Sequence, residues 1–222
     1  MIRAVLFDVD GTLMDNTPLH VQAWKEAFRA YKDFDEAELL RYVGMGSDTY
    51  IESLAPDLDP ASREAIRNRK REIYREIGAN VVPFAGAKAA LEAAHRRGLA
   101  IALASSANRV EIERYVALMG IAPLIAAMTT ASDVKRTKPE PDLFLAALAQ
   151  LGVSPREAFV VGDTPYDIQA ASRAGMPALG VLSGGFAGPT LEAAGAFMVL
   201  RDVGELAERF DEILADLATR GA

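Results

Sequence analysis

Asp8-Val9-Asp10-Gly11-Thr12 follows the apolar run Ile2, Ala4, Val5, Leu6, Phe7. A short apolar run stopped by Asp and Gly predicts a buried strand, of the kind found centrally in a parallel sheet, that ends in a sharp turn. Alternation sets Asp8 and Asp10 on one side and Val9 on the other. Two carboxylates this close repel, so they need a cation, a shared proton, or both. Gly11 permits the tight turn, and Thr12 brings a hydroxyl to a candidate anion site. The same pattern also occurs at ordinary strand ends with solvated turns, so other residues must decide.

Three further stretches carry complementary chemistry. Ser105, Ser106 and Asn108 follow the apolar run 99–104, and Lys138-Pro139-Glu140-Pro141 lies beyond a weaker run at 125–129. Gly162-Asp163-Thr164-Pro165-Tyr166-Asp167 follows the run 158–161. Taken singly, each has a plain structural role: Ser105 and Asp163 can cap helices, Lys138 can be a solvated loop residue, and Asp167 can face water from a helix. Pro139 holds the Lys138 backbone extended, which directs the ammonium as phosphate binding requires. Gly162 lets the chain approach a bound ion closely. Carboxylates, hydroxyls and an ammonium after four successive apolar runs argue for one site.

The elements between these groups determine whether they can meet. Asp15-Asn16-Thr17-Pro18 has the form of a helix start, and Leu19, Ala23, Trp24, Ala27, Phe28 and Tyr31 recur at helical spacing. Further helices are expected over 35–43, 48–54 and 60–77, with no strand among them. Residues 15–82 therefore read as an all-helical insertion. From Pro83 onward helices (87–97, 110–119, 143–151, 168–173, 190–194, 203–218) alternate with strands (99–104, 125–129, 158–161, 178–181). That alternation predicts an α/β core, 1–14 and 83–222, built on a doubly wound parallel sheet. Ligands bind outside the carboxyl ends of such strands, where all four groups fall.

Composition narrows the chemistry. The 222 residues carry 24 basic and 31 acidic side chains, a net charge of −7, so neither nucleic acid nor a membrane surface is an expected partner. There is no cysteine and only two histidines, which disfavours thiolate chemistry and His-rich zinc sites. Carboxylate oxygens remain as the main ligands, and they favour a hard cation such as Mg²⁺. With no leader-like start and no 18-residue apolar span, the chain is expected to be cytoplasmic, as a monomer or weak homodimer.

With these residues in view, the sequence resembles the haloacid dehalogenase superfamily. Its four motifs are Asp-x-Asp-Gly-Thr, a Ser or Thr after the second strand, a Lys, and Gly-Asp-x-x-x-Asp, in this order, with a helical cap after the first. His20-x-x-x-Trp24 and Lys138-Pro139-x-Pro141 are similar to the phosphoglycolate phosphatase and β-phosphoglucomutase branch. The resemblance implies a Mg²⁺-dependent phosphatase acting on a small phosphorylated metabolite. Asp8 would be the nucleophile that forms an aspartyl-phosphate, and Asp10 the general acid and base. Asp8, Asp163 and the Asp10 carbonyl would hold Mg²⁺, while Asp167 would orient Lys138 or a metal-bound water. Ser105 and Lys138 would bind the phosphoryl oxygens, helped by backbone near Gly11, Thr12 and Ser106 and by Asn108.

Asp10 separates this chain from branches that lack a carboxylate there, including dehalogenases and P-type ATPases. β-Phosphoglucomutases carry an arginine in the cap loop, where this chain has Gly44-Met45-Gly46-Ser47-Asp48, with Ser47 in its place. A phosphatase is therefore expected over a phosphomutase. A phospho-accepting signalling domain would also combine Asp, Ser/Thr and Lys around Mg²⁺, but such domains are shorter and lack the insertion. In the cap, His20, Met45 and Ser47 are the expected substrate contacts, approaching Asp10 on closure, and Trp24 an internal packing residue. The basic run Arg67, Arg69, Lys70, Arg71 reads as a solvated face that could also meet a second anionic group.

Overall fold

The computed structural model describes residues 1–220. Strand β1 (Ala4–Phe7) leads through β2 (Met14–Asp15) into four helices, α1 (Thr17–Phe28), α2 (Glu36–Leu40), α3 (Ser47–Leu54) and α4 (Pro60–Ile77), and the chain returns through β3 (Val82–Pro83). Helix and strand then alternate: α5 (Ala87–Arg96), β4 (Ala100–Ala104), α6 (Arg109–Met119), β5 (Ala127–Thr129), α7 (Asp142–Leu151) and β6 (Ala158–Gly162). They continue with α8 (Pro165–Arg173), β7 (Ala178–Val181), α9 (Gly188–Ala193), β8 (Met198–Leu200), α10 (Val203–Glu208) and α11 (Phe210–Arg220).

Six strands form one parallel sheet in the order β5-β4-β1-β6-β7-β8. Strand β1 lies between β4 and β6 and is fully buried, which is why it reads as an unbroken apolar run. Alternation divides its side chains between two layers. Val5 and Phe7 join Ile101, Leu103, Phe159, Tyr115, Leu206 and Ile213 on one face. Ala4 and Leu6 join Ala102, Val160, Phe144, Ile168 and Leu191 on the other. Truncating a buried aromatic such as Phe7 to Ala would cost about 3–5 kcal/mol, because little in such a sandwich can collapse into the space.

Helices α1–α4 enclose an apolar cluster of their own around Trp24, Phe28, Tyr50 and Ile66, forming a helical cap inserted after β1. Trp24 is stacked on Tyr50 with ring centroids 4.2 Å apart. Helix α2 starts with a reciprocal capping box between Asp35 and Glu38, and α4 starts with Asp59 accepting from Ala61 and Ser62.

The structure departs from the sequence expectations in four places. The two connections to the cap pair as an antiparallel ribbon, Met14 with Pro83 and Asp15 with Val82, a length too short for any periodicity to announce. Strand β8 extends the far edge of the sheet. The expected strand at 125–129 begins at Ala127, since a 3₁₀ turn occupies Ala122–Leu124. The expected helix 203–218 is two helices, interrupted at Arg209. Among the described residues no helix is long and apolar enough to cross a membrane.

Candidate active site

The sheet brings the four groups to one rim. Asp8 is the first residue beyond β1, and its N–H donates to Val161 O of β6 at 2.9 Å. Lys138, 1% exposed, donates to Asp8 Oδ1 and forms a 2.7 Å ion pair with Asp167 Oδ1. Asp167 also closes a capping box at the start of α8, its Oδ2 accepting from Thr164 N at 3.0 Å and Thr164 Oγ1 at 2.7 Å. Asp163 is fully buried; its Oδ1 accepts from Thr12 Oγ1 at 2.7 Å, and its Oδ2 has no partner. Two glycines make room for that oxygen. A Cβ on Gly11, whose φ is +78°, would stand 2.4 Å from Asp163 Oδ2, and one on Gly184 would stand 1.8 Å from it.

Ligand oxygens of Asp8, Asp163 and Asp167 lie within 4.8 Å of one another. If all three are ionised, Lys138 leaves two negative charges uncompensated in a buried site. Burial and the charges of Asp167 and Asp10 push the Asp8 carboxyl up to about 7 against the pull of Lys138. Burial, reinforced by the charges of Asp8 and Asp167, raises Asp163 well above the usual carboxylate range. Lys138 is driven upward, since its two carboxylates outweigh its own burial. A divalent cation would match both the donor set and the missing charge.

Asp10 belongs to a different set of contacts. Its Oδ1 accepts from Asn16 Nδ2 at 2.5 Å and faces His20 Nε2 at 3.3 Å, and its Oδ2 accepts from Ser105 Oγ at 3.2 Å. Burial alone would raise this carboxyl, but the hydrogen bonds from His20 and Asn16 and the nearby charges hold it at about 2. His20 is stacked on Tyr74, and its Nδ1 lies 3.0 Å from Lys70 Nζ. An ammonium can only donate, so Nδ1 accepts and Nε2 carries the proton offered to Asp10. Asp10, His20 and Glu111 also lie close enough together to hold an ion. These hydrogen bonds and the adjacent ammonium make that cluster unsuited to a cation.

The other expected site residues have local partners, the Ser106 hydroxyl excepted. The Thr12 hydroxyl is spent on Asp163, and the Gly11 N–H donates to Met14 O at 2.9 Å and Asn16 Oδ1 at 3.1 Å, so neither is free for an anion. Asn108 is the N-cap of α6: its Oδ1 accepts from Glu111 N at 3.1 Å, and its Nδ2 donates to Glu111 Oε2 at 3.2 Å. The Ser106 hydroxyl is buried without a partner and Ser105 Oγ accepts from Ala107 N at 3.0 Å. The cap loop rests against the core beside the motifs rather than on Asp10. Gly46 N donates to Thr137 Oγ1 at 3.1 Å, and a Cβ on Gly44 would stand 2.7 Å from Thr164. Half-buried Met45 packs within the cap cluster, and Ser47 opens α3.

Sequence reasoning passed over Asn16, Lys70, Tyr74, Glu111 and Tyr115. Lys70 corrects the reading of the basic run: it is half-buried, its ammonium 4.7 Å from the Tyr74 ring and 5.4 Å from the Trp24 ring. Burial lowers its pKa, against the opposing pull of Glu111 and Asp10. The signal was present, since Ile66, Ile73 and Tyr74 form the buried stripe of α4 and Lys70 falls inside that stripe.

A family model described as haloacid dehalogenase-like hydrolase matches residues 5–181. The fructose-1-phosphate phosphatase YqaB of Escherichia coli is 31% identical over 183 residues, 80% of this chain and 95% of that protein. A phosphoglycolate phosphatase of Vibrio cholerae is 29% identical over 93% of this chain and 96% of its own length. The crystal structure of a hydrolase from Pseudomonas syringae superposes with a TM-score of 0.90 at 31% identity, covering 96% of this chain and 99% of that one. A match across most of the chain, on a sheet whose rim carries all four motifs, has one meaning: the chain belongs to the haloacid dehalogenase-like hydrolase family.

Proposed function

We propose that this protein is a Mg²⁺-dependent phosphatase that hydrolyses a small phosphomonoester through an aspartyl-phosphate on Asp8. The observation that carries this reading is the buried trio Asp8, Asp163 and Asp167, with Lys138 as its one ammonium partner and Asp163 Oδ2 unpartnered. Asp8, Asp163 and the main-chain carbonyl of Asp10 would hold the cation, which when bound supplies positive charge to the phosphoryl oxygens. Relatives named as sugar phosphate and phosphoglycolate phosphatases support the substrate class.

The chain's own residues divide the work. Asp8 attacks phosphorus and the ester oxygen leaves, taking a proton from Asp10. Water then attacks the phosphoryl group and gives its proton to Asp10, releasing phosphate and free Asp8. In the substrate-free protein Asp10 is ionised, the state needed for the second step. The negative charge of an arriving phosphate raises it toward the protonated state needed for the first. Ser105 and the unpartnered Ser106 hydroxyl hold phosphoryl oxygens, and Lys138 neutralises them. His20 and Lys70 carry the cap's polar groups to the leaving-group side, and the 44–47 loop rests on Thr137 and Thr164, the sequence neighbours of Lys138 and Asp163.

The test is hydrolysis of p-nitrophenyl phosphate with Mg²⁺ and with EDTA. Activity is expected only with the metal, and Asp8→Asn is expected to lower kcat by roughly 10³-fold or more. Metal-independent turnover, or an Asp8→Asn variant near wild-type rate, would overturn the reading.

A further inference from the structure

Tyr74 of cap helix α4 and Tyr115 of core helix α6 meet hydroxyl to hydroxyl at 2.8 Å. Each lies in the buried stripe of its own helix, Tyr74 with Ile66 and Ile73, Tyr115 with Ile112 and Met119. Asn16, between the ribbon strand β2 and helix α1, sits at their junction. Its Nδ2 lies 2.9 Å from Tyr74 Oη, 3.3 Å from Tyr115 Oη and 2.5 Å from Asp10 Oδ1. Its Oδ1 is taken by Gly11 N. Tyr115 in turn donates to Glu111 Oε1 at 3.0 Å, and Glu111 is held by Asn108.

An unbroken hydrogen-bonded chain therefore runs from Asn108 and Glu111 in the core, through Tyr115 and Tyr74, to Asn16 and Asp10. Its member on α4 is Tyr74, so the shorter route, through both tyrosines, exists only while the cap rests on the core; without it only the longer 3.3 Å contact joins Tyr115 to Asn16. The Asn16 amide has two N–H groups and three acceptors within reach, of which Asp10 and Tyr74 are the nearer two; since Tyr115 gives its proton to Glu111, Tyr74 donates to Tyr115. Two phenylalanines would fill the same space but leave Glu111 Oε1 without the Tyr115 hydroxyl and the Asn16 amide with Asp10 alone, so the hydroxyls serve polar partners as well as packing.

We propose that Tyr74 and Tyr115 are positioning residues that tie cap closure to the orientation of Asp10 through Asn16. The inference rests on the phosphatase reading above, in which Asp10 protonates the leaving group. Opening the cap removes Tyr74, leaves the Asn16 amide only the longer contact to Tyr115 on that side, and loosens Asp10 before it can donate to a poorly placed ester. Closure sets Asp10 for transfer, so proton donation and exclusion of bulk water arrive together.

The experiment compares two esters under kcat/KM, which reports the steps up to phosphorylation of Asp8. Glycerol 2-phosphate releases an alkoxide that needs a proton, whereas p-nitrophenyl phosphate releases a stable phenolate that does not. Tyr74→Phe and Tyr115→Phe are each expected to lower kcat/KM for glycerol 2-phosphate about fivefold or more, the scale of one lost hydrogen bond. For p-nitrophenyl phosphate the change should stay within about twofold, since proton donation contributes little there. In an Asp10→Asn background the tyrosine substitutions should have no further effect on the alkyl ester. Equal losses on both esters, or persistence of the tyrosine effect without Asp10, would show a structural role only and overturn the proposal. Should both variants fail to fold, Glu111→Gln, which leaves both rings in place, must give the same split between esters. A wild-type enzyme that hydrolyses neither ester would remove the phosphatase reading itself, and this inference with it.

Discussion

Thr12 donates its hydroxyl to Asp163 Oδ1 at 2.7 Å, joining the turn after β1 to the end of β6 across 151 positions of sequence. The bond fixes one oxygen of a fully buried carboxylate and leaves the other without a partner, walled by Gly11 and Gly184. Thr12→Val keeps the shape and removes the donor. It is expected to raise the Mg²⁺ concentration for half-maximal activity about fivefold or more, the scale of one hydrogen bond to a charged group. A metal titration with unchanged midpoint would mean that Asp163 is held by packing alone.

Asp163 and Asp167 differ in what they are already bound to. Asp167 is committed to Lys138 and to Thr164, whereas Asp163 has an oxygen to spare. Asp163→Ala is therefore expected to weaken Mg²⁺ binding more than Asp167→Ala, as read by calorimetric titration; the reverse order would reassign the ligands.

Without metal the same carboxylates oppose folding. Asp8 is pushed up to about 7 and Asp163 well above its ordinary value, in both cases chiefly by burial, so folding takes up protons between the ordinary carboxylate range and those raised values. Stability in EDTA should fall as pH rises from about 5 to 7.5. Asp163→Asn should flatten that fall and raise Tm at pH 7.5, and saturating Mg²⁺ should do the same for the wild-type protein. A wild-type Tm in EDTA that climbs over this range would contradict the crowding.

Lys70 and Arg69 are neighbours in sequence with opposite environments. Arg69 has a side chain 57% exposed and pairs with Glu72, while Lys70 is half-buried against His20, Trp24 and Tyr74. Lys70→Met should lower kcat/KM for alkyl phosphates by roughly tenfold or more, since His20 loses the partner that sets its tautomer. Arg69→Ala should change it by less than about twofold, as expected of an exposed ion pair. Equal effects would mean that the basic run acts only as a charged face.

Asp133 tests the fold away from the site. Its carboxylate accepts from Thr130 N and Oγ1, both at 2.8 Å, and from Arg109 at 2.9 Å, tying the end of β5 to α6. Burial would raise its pKa, but these bonds hold it below the usual range. A lowered folded-state value gives stability that is present at neutral pH and lost as pH falls through it. Asp133→Ala should cost about 1 kcal/mol at pH 7, the scale of a lost cap. The gap to wild type should close on acidification, and denaturant titrations at both pH values would reveal a gap that does not.

The linear order of residues determined the strand ends and what they carry. Each apolar run is stopped by its own polar group, and a parallel sheet delivers all carboxyl ends to one edge whatever the lengths of the connections. Asp8, Ser105, Lys138 and Asp163 were legible for that reason, as was the helical insertion, whose apolar spacing changes from that of strands. Only the tertiary structure decided how the carboxylates are divided. Asp8, Asp163 and Asp167 gather around Lys138, while Asp10 turns to Asn16, His20 and Ser105. It also decided that Thr12 and Asn108 serve other protein groups, and that Tyr74 and Tyr115 are interior with Lys70 and Glu111 half-buried beside them. A polar side chain in the apolar stripe of an amphipathic helix carries no sequence mark for the partner it meets. Its place depends on which face of α4 meets which face of α6, and that is set by the β2–β3 ribbon, a pairing of two residues with two that leaves no period to read.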